Sequence, residues 1–292
     1  MNATGPAGAG ATPDGVVLLH GISRTSRSLR KMQTAIEASG LATLNVGYAS
    51  RRKTLQALAE DIRPAIERFA DSTEGSIHFV GHSMGGLLAR VYLGRYRPKR
   101  LGRVVMLGTP NGGSEIADRL KYFLPYRAWF GPAGQQLGTR RDAALDALLP
   151  PVDYALGIIA GNRSVYPISS VFLPKPHDGR VSVENTKLEG MIDHIVIGAS
   201  HPWLPRNARA IEQTIAFLRA GRFKPSAVIA RLDRATQYSR DGRVQPRSRG
   251  VLDRPVKPGD DSGVCGQSVR ITPPPQIGRA IAAPAHPGRH SG

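Results

Sequence analysis

The chain has 292 residues, of which 40% are hydrophobic and 21% are charged. These proportions are those of globular proteins and exclude a wholly disordered chain, and the 33 Gly and 23 Pro residues follow no collagen-like period. The one cysteine, Cys265, excludes an intrachain disulfide and a cysteine-based zinc site. No run of about 18 apolar residues occurs, and residues 1–15 lack the basic and apolar parts of a secretion signal. We therefore expect a cytoplasmic protein with no stable membrane insertion.

The formal net charge is +18, from 40 Lys and Arg against 22 Asp and Glu. An excess of this size is compatible with nucleic acid, an anionic membrane or an acidic substrate as partner. Here it is spread along the chain, since residues 225–292 alone hold 11 Lys or Arg and 5 Asp or Glu. No stretch alternates basic residues with stacking aromatics, and no zinc-finger or RNA-recognition signature is present, so we expect no nucleic-acid partner.

Composition divides the chain into three regions. Residues 1–14 are rich in Gly and Ala and predict a flexible N-terminus, whereas residues 15–224 contain the apolar runs of a folded domain. Residues 225–292 contain nine Pro and eight Gly, with Tyr238 as their one aromatic residue. Such a segment buries too little apolar surface to offset its conformational entropy, so it predicts a disordered basic tail.

Short apolar runs within the middle region predict buried strands. In chain order they are Val16–Leu19, Leu41–Val46, Ile77–Val80, Val104–Leu107, Gly157–Ala160 and Ile195–Gly198. Helical patterns lie between and after these runs, at Arg27–Ser39, Leu55–Ala70, Gly85–Arg95 and Asn207–Arg219. Apolar strands that alternate with helices predict an α/β fold with a mostly parallel, doubly wound sheet and helices on both of its faces.

The strongest chemical signal is the pentapeptide Gly81-His82-Ser83-Met84-Gly85, between a predicted strand and a predicted helix. A Gly-x-Ser-x-Gly sequence in this context predicts a sharp turn that exposes the serine hydroxyl, because the two glycines let strand and helix approach closely. The helix that follows directs backbone N–H groups and a partial positive charge at the same place. We therefore predict that Ser83 is a nucleophile.

The first predicted strand ends in His20-Gly21-Ile22. Acyl transfer passes through a tetrahedral oxyanion, which two backbone N–H groups stabilise. The amides of Ile22 and of Met84, directly after the nucleophile, form the expected pair. For the His20 side chain we favour a structural role.

These motifs resemble those of the α/β-hydrolase superfamily, and in particular of bacterial lipase- and esterase-like serine hydrolases. The resemblance extends over about residues 15–223 and rests on His20-Gly21, on residues 81–86 (Gly-His-Ser-Met-Gly-Gly) and on residues 107–115 (Leu-Gly-Thr-Pro-Asn-Gly-Gly-Ser-Glu). It implies an α/β-hydrolase fold with a small cap insertion at about residues 113–151. It also implies catalytic residues in the order Ser, then Asp or Glu, then His.

Position in this order selects the remaining two residues. His177, His194 and His201 follow Ser83 within the domain, and His201 lies in the loop after the last predicted strand, from which a base reaches the serine. His194 precedes that strand, where we expect a structural role. The family's acid usually lies in an Asp-Gly-x-Val segment, which Asp178 matches, with Asp193 as the runner-up.

These residues predict a serine hydrolase that cleaves carboxylic esters through an acyl-enzyme. His201 takes the Ser83 proton, and Asp178 orients and stabilises the imidazole. No metal site and no organic cofactor are expected. Thioester hydrolysis or acyl transfer by the same three residues stays open, as does a non-catalytic binding protein, although the intact set of three argues against the last.

The predicted cap contains an aromatic cluster, made of Tyr122, Phe123, Tyr126, Trp129 and Phe130. Such a cluster is typical of an acyl-binding pocket or of an amphipathic lid that contacts lipid transiently. Packing of the cap on the core is an equal alternative. We expect the substrate to be a small-molecule ester with an apolar acyl group.

Overall fold

Six parallel strands form one sheet in the computed structural model, which describes residues 13–120, 122–139, 143–166 and 173–225. The strands are β1 (Gly15–Leu19), β2 (Ala42–Val46), β3 (Ile77–His82), β4 (Leu101–Leu107), β5 (Leu156–Gly161) and β6 (Asp193–Ile197). Their order across the sheet is β2-β1-β3-β4-β5-β6, and every neighbouring pair is parallel. The predicted parallel, doubly wound sheet is therefore confirmed, with all six strands at the predicted places.

Eight α-helices are described, and they include the four predicted ones. They are α1 (Arg30–Ala38), α2 (Leu55–Asp71), α3 (Met84–Tyr96), α4 (Glu115–Leu120), α5 (Leu124–Gln135), α6 (Ala143–Ala147), α7 (Val183–Thr186) and α8 (Ala208–Ala220). Short 3-10 helices cover Ser26–Leu29 and His201–Arg206. The predicted helix at Arg27 thus begins as a 3-10 turn and becomes α-helical at Arg30.

Local sequence signals account for the ends of the longest helices. The Thr54 side chain accepts a hydrogen bond from the Ala57 amide and begins α2, and Asn207 does the same for the Ala210 amide at the start of α8. Gly221, in the left-handed conformation with φ 71°, ends α8. These are the usual capping arrangements of helix termini.

The sheet separates two apolar clusters. In β1, Val17 and Leu19 belong to the cluster that α2 and α3 cover, whereas Val16 and Leu18 belong to the cluster that α1 and α8 cover. All four side chains are fully buried. This burial on both faces explains why the strand is apolar at every position rather than at alternate ones.

The ordered domain begins slightly earlier than predicted. The Asp14 carboxylate accepts a hydrogen bond from the Ser76 amide (2.7 Å) and contacts the His78 ring (3.2 Å), so Asp14 belongs to the domain rather than to the flexible N-terminus. The predictions for residues 1–12 and for the tail beyond residue 225, which includes Cys265, lie outside the described residues. Within the described ranges, no helix is long and apolar enough to cross a bilayer.

Candidate active site

Ser83 occupies the sharp turn between β3 and α3. Its backbone lies at φ 56° and ψ −125°, a region that residues other than glycine rarely adopt. The turn is held by a hydrogen bond from the Ser83 amide to the Leu107 carbonyl, over 2.8 Å. The strained conformation that the sequence motif predicts is present, and strain of this kind is concentrated at functional sites.

The two glycines of the motif lie where no side chain fits. A Cβ atom on Gly81 would be 2.6 Å from the Gly86 backbone, and one on Gly85 would be 2.1 Å from the Leu19 carbonyl oxygen. The strand and the helix therefore approach as closely as the sequence analysis predicted. Gly85 also brings the start of α3 against the end of β1, where the His20-Gly21-Ile22 segment begins.

A chain of two hydrogen bonds links the three residues that the sequence analysis selected. Nε2 of His201 is 2.9 Å from the Ser83 hydroxyl oxygen, and Nδ1 is 2.7 Å from Oδ2 of Asp178. All three residues are at most 7% exposed. In this arrangement the Asp178 carboxylate fixes the proton of His201 on Nδ1, which leaves Nε2 free to accept the serine proton.

Backbone groups hold the Asp178 carboxylate in place. Its Oδ1 accepts hydrogen bonds from the amides of Arg180 and Val181, each over 2.9 Å, and its main-chain carbonyl accepts one from the His201 amide. The carboxylate thus has donors on both oxygens, with Oδ2 directed at the imidazole. These hydrogen bonds fix the orientation of the carboxylate relative to the His201 ring.

The competing residues lie elsewhere. Asp193 and His194 begin β6, at the end of the sheet opposite the Ser83 turn, as the pairing of Gly157 with Asp193 shows. Nε2 of His194 contacts the Thr186 hydroxyl (3.0 Å), and Asp193 accepts a hydrogen bond from the Phe223 amide. Both therefore make contacts at the opposite end of the sheet from Ser83.

The His20-Gly21-Ile22 segment lies against Ser83. A Cβ atom on Gly21 would be 3.2 Å from Cβ of Ser83, which brings the neighbouring Ile22 close to the serine. The His20 ring stacks on Tyr48, with ring centroids 4.0 Å apart, and its Nδ1 contacts the Gly21 carbonyl oxygen over 2.9 Å. Its side chain therefore stabilises the segment, as the sequence analysis favoured.

The loop after β4 and the start of α4 contain positions beside the candidate site to which sequence reasoning assigned no role. Gly108, with φ 55°, passes so close to the site that a Cβ atom there would be 2.9 Å from Oδ2 of Asp178. Oε1 of Glu115 accepts hydrogen bonds from the Ser182 hydroxyl and the Asn185 amide group, at 3.1 and 2.7 Å. These bonds fasten the segment after Asp178 to the loop. In the sequence, the motif at residues 107–115 pointed to this loop. The motif does not reveal which distant residues the loop contacts.

His82, the residue before Ser83, is a second position to which sequence reasoning assigned no role. It is 3% exposed, and its Nε2 lies 3.0 Å from the main-chain carbonyl oxygen of His201. Burial lowers the pKa of His82 well below its ordinary value, and the neighbouring His201 ring acts in the same direction. The ring is therefore neutral and donates its Nε2–H to the carbonyl.

The aromatic cluster of the cap divides into two environments. The side chains of Tyr122, Phe123 and Trp129 are 80%, 59% and 58% exposed, whereas Phe130 packs against the core. The side chain of Tyr126 lies outside the description. Only part of the cluster can line a substrate pocket in this conformation, because three of its rings face solvent.

Helix α5 lies close to the Ile22 segment. A Cβ atom on Gly134 would be 3.4 Å from Cδ1 of Ile22. The Trp129 ring stacks beneath the Arg51 guanidinium at 4.8 Å, and Gln136 accepts a hydrogen bond from the Leu55 amide at the start of α2. These contacts fix the cap between β4 and β5 beside the site.

Comparison with known proteins supports the fold. A family model of the alpha/beta hydrolase fold matches residues 16–153, a range that ends before Asp178 and His201. The structure of the mature Bacillus licheniformis lipase BlEst2 is similar, with 19% identity, a TM-score of 0.60, and coverage of 76% of this chain and 96% of that chain.

Two further structures are similar in fold. Phospholipase PlaB from Legionella pneumophila has 16% identity and a TM-score of 0.57, over 78% of this chain and 65% of that chain. A structure from the metagenome-derived lipolytic enzymes LipS and LipT has 18% identity and a TM-score of 0.53, over 71% and 94%. The chain therefore has the alpha/beta hydrolase fold.

Proposed function

We propose that the protein is a serine hydrolase that cleaves carboxylic esters through an acyl-enzyme intermediate. The observation that carries the proposal is the Ser83–His201–Asp178 hydrogen-bonded chain, with a strained Ser83 backbone at its end. A serine hydroxyl is a weak nucleophile at neutral pH, and an adjacent, oriented imidazole is the usual means of activating it. The lipolytic enzymes that share the fold are consistent with an ester substrate.

The acylation step follows from the positions of the side chains. Nε2 of His201 removes the proton from the Ser83 hydroxyl as the oxygen attacks the ester carbonyl carbon. The backbone N–H groups of Ile22 and Met84 donate hydrogen bonds to the oxyanion of the tetrahedral intermediate. His201 then gives its proton to the leaving alcohol oxygen, which leaves the acyl group on Ser83.

Deacylation repeats these steps with water. His201 removes a proton from a water molecule that attacks the acyl carbonyl, and it returns that proton to the Ser83 oxygen as the carboxylic acid departs. Asp178 remains ionised and stabilises the imidazolium in both steps. No step requires a metal ion or an organic cofactor.

An apolar acyl group is the substrate portion that the cap favours. Phe130 packs on the core within α5, and Gly134 of the same helix lies close to Ile22, so apolar side chains border the proposed oxyanion site. Apolar linings with few polar groups are typical of small-molecule pockets. The solvent-exposed rings of Tyr122, Phe123 and Trp129 would add to this surface on contact with a lipid substrate.

The test is hydrolysis of p-nitrophenyl esters of graded acyl length by the purified chain and by Ser83→Ala. We expect Ser83→Ala to lose turnover by roughly 10⁴-fold or more and to lose all labelling by a fluorophosphonate probe. Residues that act as one unit are non-additive, so Ser83→Ala/His201→Ala should be hardly slower than either single variant. Undiminished labelling or turnover of folded Ser83→Ala would refute the proposal.

A further inference from the structure

A cleft of about 260 Å³ lies beside the proposed catalytic residues. The buried His82 ring contributes to it, and Arg24, Tyr166, Trp203 and Arg206 are among its other lining residues. Its lining comes from the segments that build the site. His82 precedes Ser83, Trp203 belongs to the short helix that begins at His201, and Arg24 belongs to the segment that continues from Ile22. The His82 ring that lines the cleft lies 5.0 Å from the His201 ring, so the cleft adjoins the proposed base.

The described lining of the cleft is positively charged. Among the residues that the structure describes, Arg24 and Arg206 line it and no Asp or Glu does. Across the described ranges neither guanidinium forms an ion pair, whereas Arg63, Arg95 and Arg97 elsewhere on the surface each pair with an acidic side chain. Adjacent unpaired arginines raise the local potential and attract anions.

Aromatic rings lie close to arginine side chains in and beside the cleft. The Arg206 guanidinium lies 6.0 Å from the centre of the Trp203 ring, and Arg180 lies 5.9 Å from that of Tyr166. Such stacking restrains the guanidinium while its N–H groups stay available to a ligand. Burial and the His201 ring are the main causes that lower the pKa of His82. The positive charges of Arg24 and Arg180 lower it further, so these two charges are felt at a ring that lines the cleft.

We propose that the ester substrate carries an anionic group, a carboxylate or a phosphate, which Arg24 and Arg206 bind in this arginine cleft. The inference rests on the proposed ester hydrolysis at Ser83 and adds the chemical class of the substrate. The planar guanidinium forms paired hydrogen bonds with either anion. Tyr166 and Trp203 contact the apolar part of the substrate that adjoins the anion.

The test compares matched esters that differ in one charge. The acyl-side pair is the mono-p-nitrophenyl ester of glutaric acid and p-nitrophenyl pentanoate. The alcohol-side pair is the butyryl ester of glycerol phosphate and that of glycerol. For each pair the ratio of kcat/KM, anionic over neutral, is measured for the wild-type chain, for Arg24→Gln/Arg206→Gln, and for Arg68→Gln, which removes an exposed arginine of α2 outside the cleft.

We expect the ratio of at least one pair to fall about tenfold or more in the double variant, mainly through KM, because hydrogen bonds to charged groups are among the strongest in proteins. Arg68→Gln should leave both ratios unchanged, and the pair that responds identifies the side of the ester that carries the anion. Equal ratios in wild type and double variant, for both pairs, would overturn the inference while leaving ester hydrolysis intact.

A binding measurement separates this inference from the proposed activity. In Ser83→Ala/Trp129→Phe, Trp203 is the single remaining tryptophan. Titration with glutarate or glycerol phosphate should change its fluorescence, and Arg24→Gln/Arg206→Gln added to this chain should abolish the change. If Ser83→Ala/Trp129→Phe binds an anion but the wild-type chain hydrolyses no ester, the proposed function alone is refuted. If Ser83→Ala/Trp129→Phe binds neither anion, the arginine cleft is refuted.

Discussion

The ring of His82 donates a hydrogen bond to the main-chain carbonyl of His201, over 3.0 Å, and the two rings lie 5.0 Å apart. The residue before the proposed nucleophile thus holds the loop that supplies the proposed base. Nδ1 of His82 is buried and has no hydrogen-bond partner among the described residues. The single bond to His201 is therefore the polar interaction that fixes the ring.

Loss of this bond should displace His201 relative to Ser83. We expect His82→Ala to lower kcat by about ten- to a hundredfold with little change in KM, because small errors in the position of a reacting group are costly. His82→Gln keeps an amide that can donate to the same carbonyl and should recover most of the loss. The measurement is steady-state kinetics on a short p-nitrophenyl ester, and an unchanged kcat for folded His82→Ala would show that the bond does not position the base.

The second prediction concerns the contact between Glu115 and the segment after Asp178. Glu115→Ala removes the acceptor of two hydrogen bonds, from Ser182 and Asn185, and leaves both donors without it. We expect a loss of about 1–3 kcal/mol in the free energy of unfolding and a lower kcat, since the Asp178 loop loses its tether.

The matched control is Glu184→Ala, two residues beyond Ser182. Its carboxylate is exposed and pairs with Lys187 on the surface. Exposed pairs of this kind contribute little, so this variant should stay within about 0.5 kcal/mol of wild type. Urea unfolding and kinetics of both variants decide the matter, and equal losses in the two would mean that Glu115 is not a specific tether.

Much of the fold and the order of the site residues could be predicted from the sequence, because the signals are local. Apolar runs identified all six strands, and the steric demands of a tight turn made Gly81 and Gly85 informative. His201 could be separated from His194 because His194 lies at the start of the last strand and His201 follows its end, and the two ends of a strand lie at opposite ends of the sheet.

The remaining features depend on contacts between distant segments. Glu115 meets Asn185 across a long stretch of sequence, and no periodic pattern predicts such a pair. The aromatic content of the cap did not predict the exposure of Tyr122 and Trp129, because composition does not determine which face of a helix meets the core. Gly131, with φ 60°, interrupts α5, and this break turns the helix in a way that the pattern did not reveal.

The buried histidines predict how stability depends on pH. Burial lowers the pKa values of His20, His78 and His82 below the ordinary value of 6.5. Below about pH 6.5 the unfolded chain therefore binds protons that the folded chain does not, so the free energy of unfolding falls as the pH decreases through this window. Each histidine contributes up to about 1.4 kcal/mol per pH unit.

Urea unfolding at several pH values between about 7.5 and 5.5 measures this slope, since these values span the ordinary histidine pKa. His82→Gln should reduce the slope, by up to about 1.4 kcal/mol per pH unit at the acid end of this range, because it removes one of the histidines whose pKa burial lowers. A free energy of unfolding that stays constant over this range would contradict the burial of neutral imidazoles.

The last prediction concerns the close contact between the start of α3 and the end of β1. A methyl group on Gly85 would be 2.1 Å from the Leu19 carbonyl oxygen and 2.7 Å from that of His20, both backbone atoms that cannot rotate away. Gly85→Ala should therefore separate helix and strand, with a cost of at least about 3 kcal/mol, the upper end of overpacking, and with loss of fluorophosphonate labelling. Gly47→Ala is the matched control, since its nearest neighbour would be Ser26 Oγ at 3.8 Å, and it should stay within about 1 kcal/mol of wild type. Urea unfolding and probe labelling of the two variants test the steric argument, which fails if Gly85→Ala is as stable and as reactive as Gly47→Ala.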